Sequence, residues 1–142
     1  MTFKYIRTLV AALLMVAAGS HAALAADNQS QIDPAAESLA RTYFSALQSG
    51  NRQVLLSLFT GTARARNEAQ LNDPAYSQFL VERYSTARLE IVAGGVHGGI
   101  SFVDIAIWLN GNEFVGERLL LKPSADPADA SLYIVARKEL LN

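Results

Sequence analysis

Three features of the sequence predict an α+β domain in which N-terminal helices pack on a curved four-stranded antiparallel sheet. Apolar residues recur at helical spacing as far as Tyr84, the period changes to two from Ala87, and turn signals cut the second half into strand-length pieces. With 142 residues, 51% of them hydrophobic, the chain is long enough to bury one core without staples.

The first 26 residues read as a leader rather than as part of that core. Lys4 and Arg7 form a positive start, residues 9–18 an apolar run, and Ala23-Leu24-Ala25 a small-x-small cleavage site before Ala26. The expected organisation is a signal peptide at 1–26 cut at Ala25 and Ala26, a disordered tail at 27–34 and one domain at 35–142. The chain has no cysteine for a disulfide, a thiolate metal site or a lipid attachment, so a periplasmic or secreted protein is expected. The alternative is an uncleaved anchor in an envelope assembly, since residues 6–26 almost span a bilayer. Gly19, Ser20 and His21 make a weak span, so no stable membrane insertion is expected after processing. Without Lys4 and Arg7, ten cations remain against thirteen carboxylates, and apart from Arg64 with Arg66 and Arg137 with Lys138 they are scattered. That balance excludes a nucleic-acid partner, which needs clustered cations to release counterions.

Asp33-Pro34 places a capping carboxylate before a proline that the first helical position tolerates. Leu39, Ala40, Tyr43, Phe44 and Leu47 then repeat at helical spacing, and Gly50 ends the helix. Residues 54–59 are too apolar for a surface and predict a second, short helix packed on the first. Residues 63–72 are polar and read as either a helical turn or an irregular excursion. Asp73-Pro74 opens a third helix with Tyr76, Phe79, Leu80 and Tyr84 on one side.

In the first strand Leu89, Ile91 and Ala93 alternate with Arg88, Glu90 and Val92. In the second, Val103, Ile105, Ile107 and Leu109 alternate with Phe102, Asp104, Ala106 and Trp108. Asn110-Gly111 is the strongest hairpin signal, because both residues tolerate positive φ. The third strand is expected near 113–122 and the fourth near 131–138, joined by a loop rich in Pro, Ser and Asp.

The stretch Ala40-Arg41-Thr42-Tyr43-Phe44-Ser45-Ala46-Leu47-Gln48-Ser49-Gly50-Asn51, followed by Val54-Leu55-Leu56-Ser57-Leu58-Phe59, resembles the nuclear transport factor 2-like superfamily. The resemblance implies the cystatin-like α+β cone fold. The superfamily includes ketosteroid-isomerase-like and polyketide-cyclase-like enzymes, small-ligand binders and secreted domains without known chemistry. In the isomerase branch a first-helix tyrosine stabilises an oxyanion, and the resemblance assigns that place to Tyr43. The place of the general base, eight residues beyond Phe59, is held by Asn67, which has no titratable proton to exchange.

His97 is the single histidine beyond the leader, within Gly94-Gly95-Val96-His97-Gly98-Gly99, a run that reads as a flexible hairpin connection; a strand follows these glycines, whereas a phosphate loop needs a helix there. No metal site and no cofactor are expected. Asp104 has two possible settings: buried on the helix-covered face as a candidate acid, or on the outer face paired with Arg118. Glu90, Glu113 and Glu117 read as outward or edge charges, and Arg64 and Arg66 as solvated loop cations or a small anion site. Tyr43, Phe59, Phe79 and Trp108 are the candidates to line an apolar ligand cavity. The expected function is a non-catalytic module binding a small apolar ligand, or a protein, in the periplasm. Large apolar residues on both sides of the second strand point to a homodimer through the outer sheet face. The alternative is an isomerase, dehydratase or cyclase using Asp104 or Glu68 as base with Tyr43 as donor.

Overall fold

The computed structural model describes residues 32–140, so the expected leader, its cleavage point at Ala25 and Ala26, and tail residues 27–31 lie outside the described residues. Helix α1 (Pro34–Ser49) begins where Asp33 Oδ1 accepts the Ala35 N–H at 2.9 Å. Ile32 and Asp33, expected in the tail, already belong to the fold: Asp33 caps the helix, and Ile32 packs so closely over Gly94 that a Cβ there would meet it at 3.2 Å. The helix ends at Gly50 with φ 65°, and a Cβ there would lie 2.5 Å from the Ser77 carbonyl oxygen. Glycine is therefore required both for the left-handed turn and for the approach of the next helical layer.

Helix α2 (Arg52–Leu58) is capped by Asn51, whose Oδ1 accepts from the Val54 N–H. The ambiguous polar stretch forms a full helix, α3 (Gly61–Leu71), so among the described residues four helices precede the sheet instead of three. Its only buried residues are Ala63 and Leu71, which is why it carries little apolar signal. Helix α4 (Tyr76–Tyr84) starts after an Asx turn in which Asp73 Oδ1 accepts the Ala75 N–H at 3.0 Å.

The sheet is an antiparallel meander in the order β1 (Arg88–His97), β2 (Ile100–Trp108), β3 (Phe114–Pro123), β4 (Leu132–Leu140). The described residues are thus α+β, with four helices and an open four-stranded sheet. Helix α1 lies on β1, β2 and β4, while α3 packs on β4 and α4 on α1. Val103, Ile105, Ile107, Leu119, Leu121 and Ile134 fill the face beneath the helices, all at most 2% exposed.

Two bulges reset the alternation. In β1, Ile91 pairs with Ile105 and Ala93 with Asp104, so Val92 is the extra residue and Ala93 moves to the outer face, against the sequence expectation. In β4, Ile134 pairs with Leu121 and Ala136 with Leu120, leaving Val135 extra and turning Arg137 to the same side as Ile134. Phe59 forms a parallel bridge to Ile134, and the Thr60 N–H donates to the Ile134 carbonyl at 2.9 Å. This pins the α2–α3 junction on β4.

The tight hairpin turn is not at Asn110-Gly111 but at Gly98-Gly99, with φ 58° and 79°. The 109–113 loop closes through Leu109 N–H to Glu113 carbonyl, and Asn110 Oδ1 accepts the N–H groups of Asn112 and Glu113. Asn110 therefore acts through its side chain, and Gly111 does not use positive φ. Among the described residues no helix is long and apolar enough to cross a membrane.

Candidate functional site

The helix-covered face of the sheet is not wholly apolar. Parity along β3 places Val115, Glu117, Leu119 and Leu121 on the same side, so Glu117 points inward rather than outward as expected. The bulge at Val135 brings Arg137 opposite Leu119 on that side, beside Glu117. From above, α1 contributes Tyr43, 1% exposed, and α3, seated on β4, contributes Asn67.

These four side chains form one hydrogen-bonded cluster. The Tyr43 hydroxyl donates to Glu117 Oε1 at 3.0 Å. Arg137 Nη1 donates to the Tyr43 oxygen at 2.9 Å, and its Nη2 donates to Asn67 Oδ1. Asn67 Nδ2 in turn donates to the Ala63 carbonyl within α3. The Arg137 guanidinium lies 3.8 Å from Glu117 Oε2 and rests over the Phe59 ring, 5.1 Å from its centroid. Burial, and next the charge of Glu117, push the Tyr43 hydroxyl well above the ordinary tyrosine range, so it stays protonated and acts as a donor. Burial works against the charge on Arg137, but Tyr43 and Glu117 offset it and hold the guanidinium protonated. No buried side-chain nitrogen or oxygen among the described residues lacks a partner.

Above this floor opens a cleft of about 470 Å³, lined from α3 by Thr62, Arg66 and Asn67, from the end of α4 by Arg83 and Tyr84, and from the sheet by Val115, Glu117, Arg137 and Glu139. Its walls carry three arginines, two glutamates and one aromatic ring. Arg83 Nε donates to the Tyr84 hydroxyl at 3.3 Å, and its guanidinium stands 5.6 Å from that ring's centroid. Glu117 and Glu139 are directly opposed on neighbouring strands, a like-charge pairing that costs stability unless cations sit beside it.

The aromatic residues expected to share a cavity are dispersed. Tyr43 lies under the cleft in the cluster, and Phe59 is buried at the α2–α3 junction with its ring 6.2 Å from that of Tyr43. Phe79 is 49% exposed on α4 and stacks on Tyr76, because its position faces away from the core-facing Leu80. Trp108 is on the outer sheet face, against Phe114, with its indole N–H donating to Glu90. Helical spacing alone did not separate the core side of α4 from its outer side.

The candidate bases are separated from Tyr43 as well. Asp104 takes the second of its two settings: it is on the outer face, bound by Arg118 through two hydrogen bonds of 2.7 and 2.9 Å. The sheet lies between it and the Tyr43 hydroxyl, so the two cannot meet one substrate atom. Glu68 is on the exposed side of α3, with Arg64 Nη2 3.7 Å away, and does not line the cleft. The carboxylate that does reach Tyr43 is Glu117. His97 flanks the Gly98-Gly99 turn and is exposed. Among the described residues no three of His, Cys, Asp and Glu are grouped so as to hold a metal ion. No family model, curated protein or solved structure matches this chain.

Proposed function

We propose that the chain is an exported domain of the nuclear transport factor 2-like kind, with a cone-shaped fold, that holds a small molecule in the cleft without transforming it. The observation that carries this reading is the closed cluster of Tyr43, Glu117, Arg137 and Asn67 at the cleft floor. The carboxylate nearest Tyr43, Glu117, accepts from that hydroxyl and is flanked by Arg137, so acid and donor are partners of one another within the floor rather than a base and an acid both aimed at a substrate. A tyrosine donating to a carboxylate is likewise not waiting for an oxyanion. Such a satisfied floor gives a ligand a rigid, polar seat. The leader-like N-terminus supports export, and the first-helix wording supports the family; both belong to this reading. Saturation-transfer NMR with a fragment mixture tests it. Fragments should receive magnetisation from the wild type and lose it in Thr62→Trp, which fills the exposed mouth; equal transfer to both proteins would refute the cleft as the site.

A second element of the reading concerns the outer sheet face, which we assign to a second copy of the chain. Phe102, Trp108, Phe114 and Leu120 make this face apolar. Its charges are unevenly divided, with Glu90, Asp104 and one cation, Arg88, on the β1–β2 half and Arg118, Lys122 and Lys138 on the β3–β4 half. A two-fold axis parallel to the strands would set the acidic half of one copy over the basic half of the other.

A further inference from the structure

We infer that the cleft selects a small organic monoanion and holds its carboxylate between Arg66 and Arg83. This deepens the cleft-binding reading above and rests on it. The cleft has two sides of different character. On the sheet side, Arg137 is committed to Tyr43, Asn67 and Glu117, so its charge is already balanced. On the helix side, Arg66 and Arg83 both line the mouth, and among the described residues neither has a carboxylate within 4.0 Å. Glu139 lines the same cleft and also lies more than 4.0 Å from any described cation, so it bridges to neither arginine. Three arginines against two glutamates leave one positive charge in the cleft, which a single ligand carboxylate balances and a dianion would overshoot.

The shape of the walls agrees with a compact acid. Guanidinium forks present paired N–H donors that match the two oxygens of a carboxylate. Tyr84 and Val115 supply an aromatic and an aliphatic surface for the body of the molecule. Glu117 and Glu139 face the same space, where they accept from a hydroxyl or amine and repel a second acidic group. A purely apolar ligand would leave Arg66, Arg83 and Glu139 unanswered.

Amide-resolved NMR titration of the full chain with benzoate and with benzamide, equal in shape and different in charge, tests the inference. Benzoate should shift the amide signals of Arg66, Arg83 and Tyr84 and bind at least about tenfold more tightly than benzamide. Arg66→Gln and Arg83→Gln should each reduce benzoate affinity about fivefold or more and leave benzamide unchanged. Both arginines are exposed, so the folded spectrum is expected to persist in each variant. If benzoate and benzamide bind the cleft equally, the anion preference is wrong and the cleft reading stands. If both shift only signals away from the cleft, the cleft reading fails with it.

Discussion

At the scale of single residues, the floor of the cleft depends on Tyr43 more than on any aromatic neighbour. Its hydroxyl links an acid on β3, a cation on β4 and, through Arg137, an amide on α3. Tyr43→Phe keeps the ring packing and removes the link, so it should lower unfolding free energy in urea by about 1–2 kcal/mol. It should also change the alkaline limb of the stability profile. Because the folded protein holds the Tyr43 proton more tightly than the unfolded chain, its contribution is complete below about pH 10 and is lost as pH rises beyond that. Tyr43→Phe should lack that part of the alkaline decline; an identical slope in both proteins would contradict the assigned burial. On the acid side, Asp129 is lowered from 3.8 to about 2 by hydrogen bonds from Ser131, then Tyr133. Its stabilising effect is present above pH 4 and disappears as pH falls toward 2, so Asp129→Asn should flatten that interval of the profile. Little of the cluster could be read from the residues in order. The family resemblance points to Tyr43 and Asn67, but Arg137, next to Lys138, carries no sequence signal for an inward side. Its inward side depends on the Val135 bulge, which simple alternation does not encode.

At the scale of elements, caps and turns were the clearest signals, because they act within a few residues. Asp33 and Gly50 take the roles their types suggest, whereas Asp73 forms an Asx turn ahead of α4 instead of capping it, and the change from helical to alternating periodicity falls at the start of β1. Helix α3 was obscured because it buries only Ala63 and Leu71, so a helix chiefly supporting polar residues lacks an apolar stripe. The turns show how two similar signals diverge: Gly98-Gly99 takes both positive φ values, whereas Asn110 caps a longer loop. Substituting Gly98→Asn should change stability by no more than about 0.5 kcal/mol, since nothing lies within 4 Å of the added Cβ and Asn tolerates the left-handed region. Gly50→Ala should cost about 2–4 kcal/mol, combining positive φ with a collision against the Ser77 carbonyl. Thermal or urea unfolding of the two variants side by side checks both values.

At the scale of the whole molecule, the sheet divides the chain into two chemically distinct surfaces. The helix side holds the cleft and its polar floor; the outer side carries aromatic residues around the Asp104–Arg118 pair. Placing Asp104 and Tyr43 on opposite sides separates the pair that an enzyme reading had joined. Light scattering should show a two-fold assembly at micromolar concentration that Leu120→Arg converts to monomer; a monomeric wild type would remove the dimer from the account. Such a dimer leaves both clefts open, since they face away from the shared surface. The central claim is that the cleft retains a small molecule, and native mass spectrometry of protein purified from the periplasm tests it most directly. The account predicts a species lacking the leader that carries a small non-covalent mass, released on collisional activation and missing from Thr62→Trp. Wild type and variant both emerging bare, or both carrying the same added mass, would contradict it.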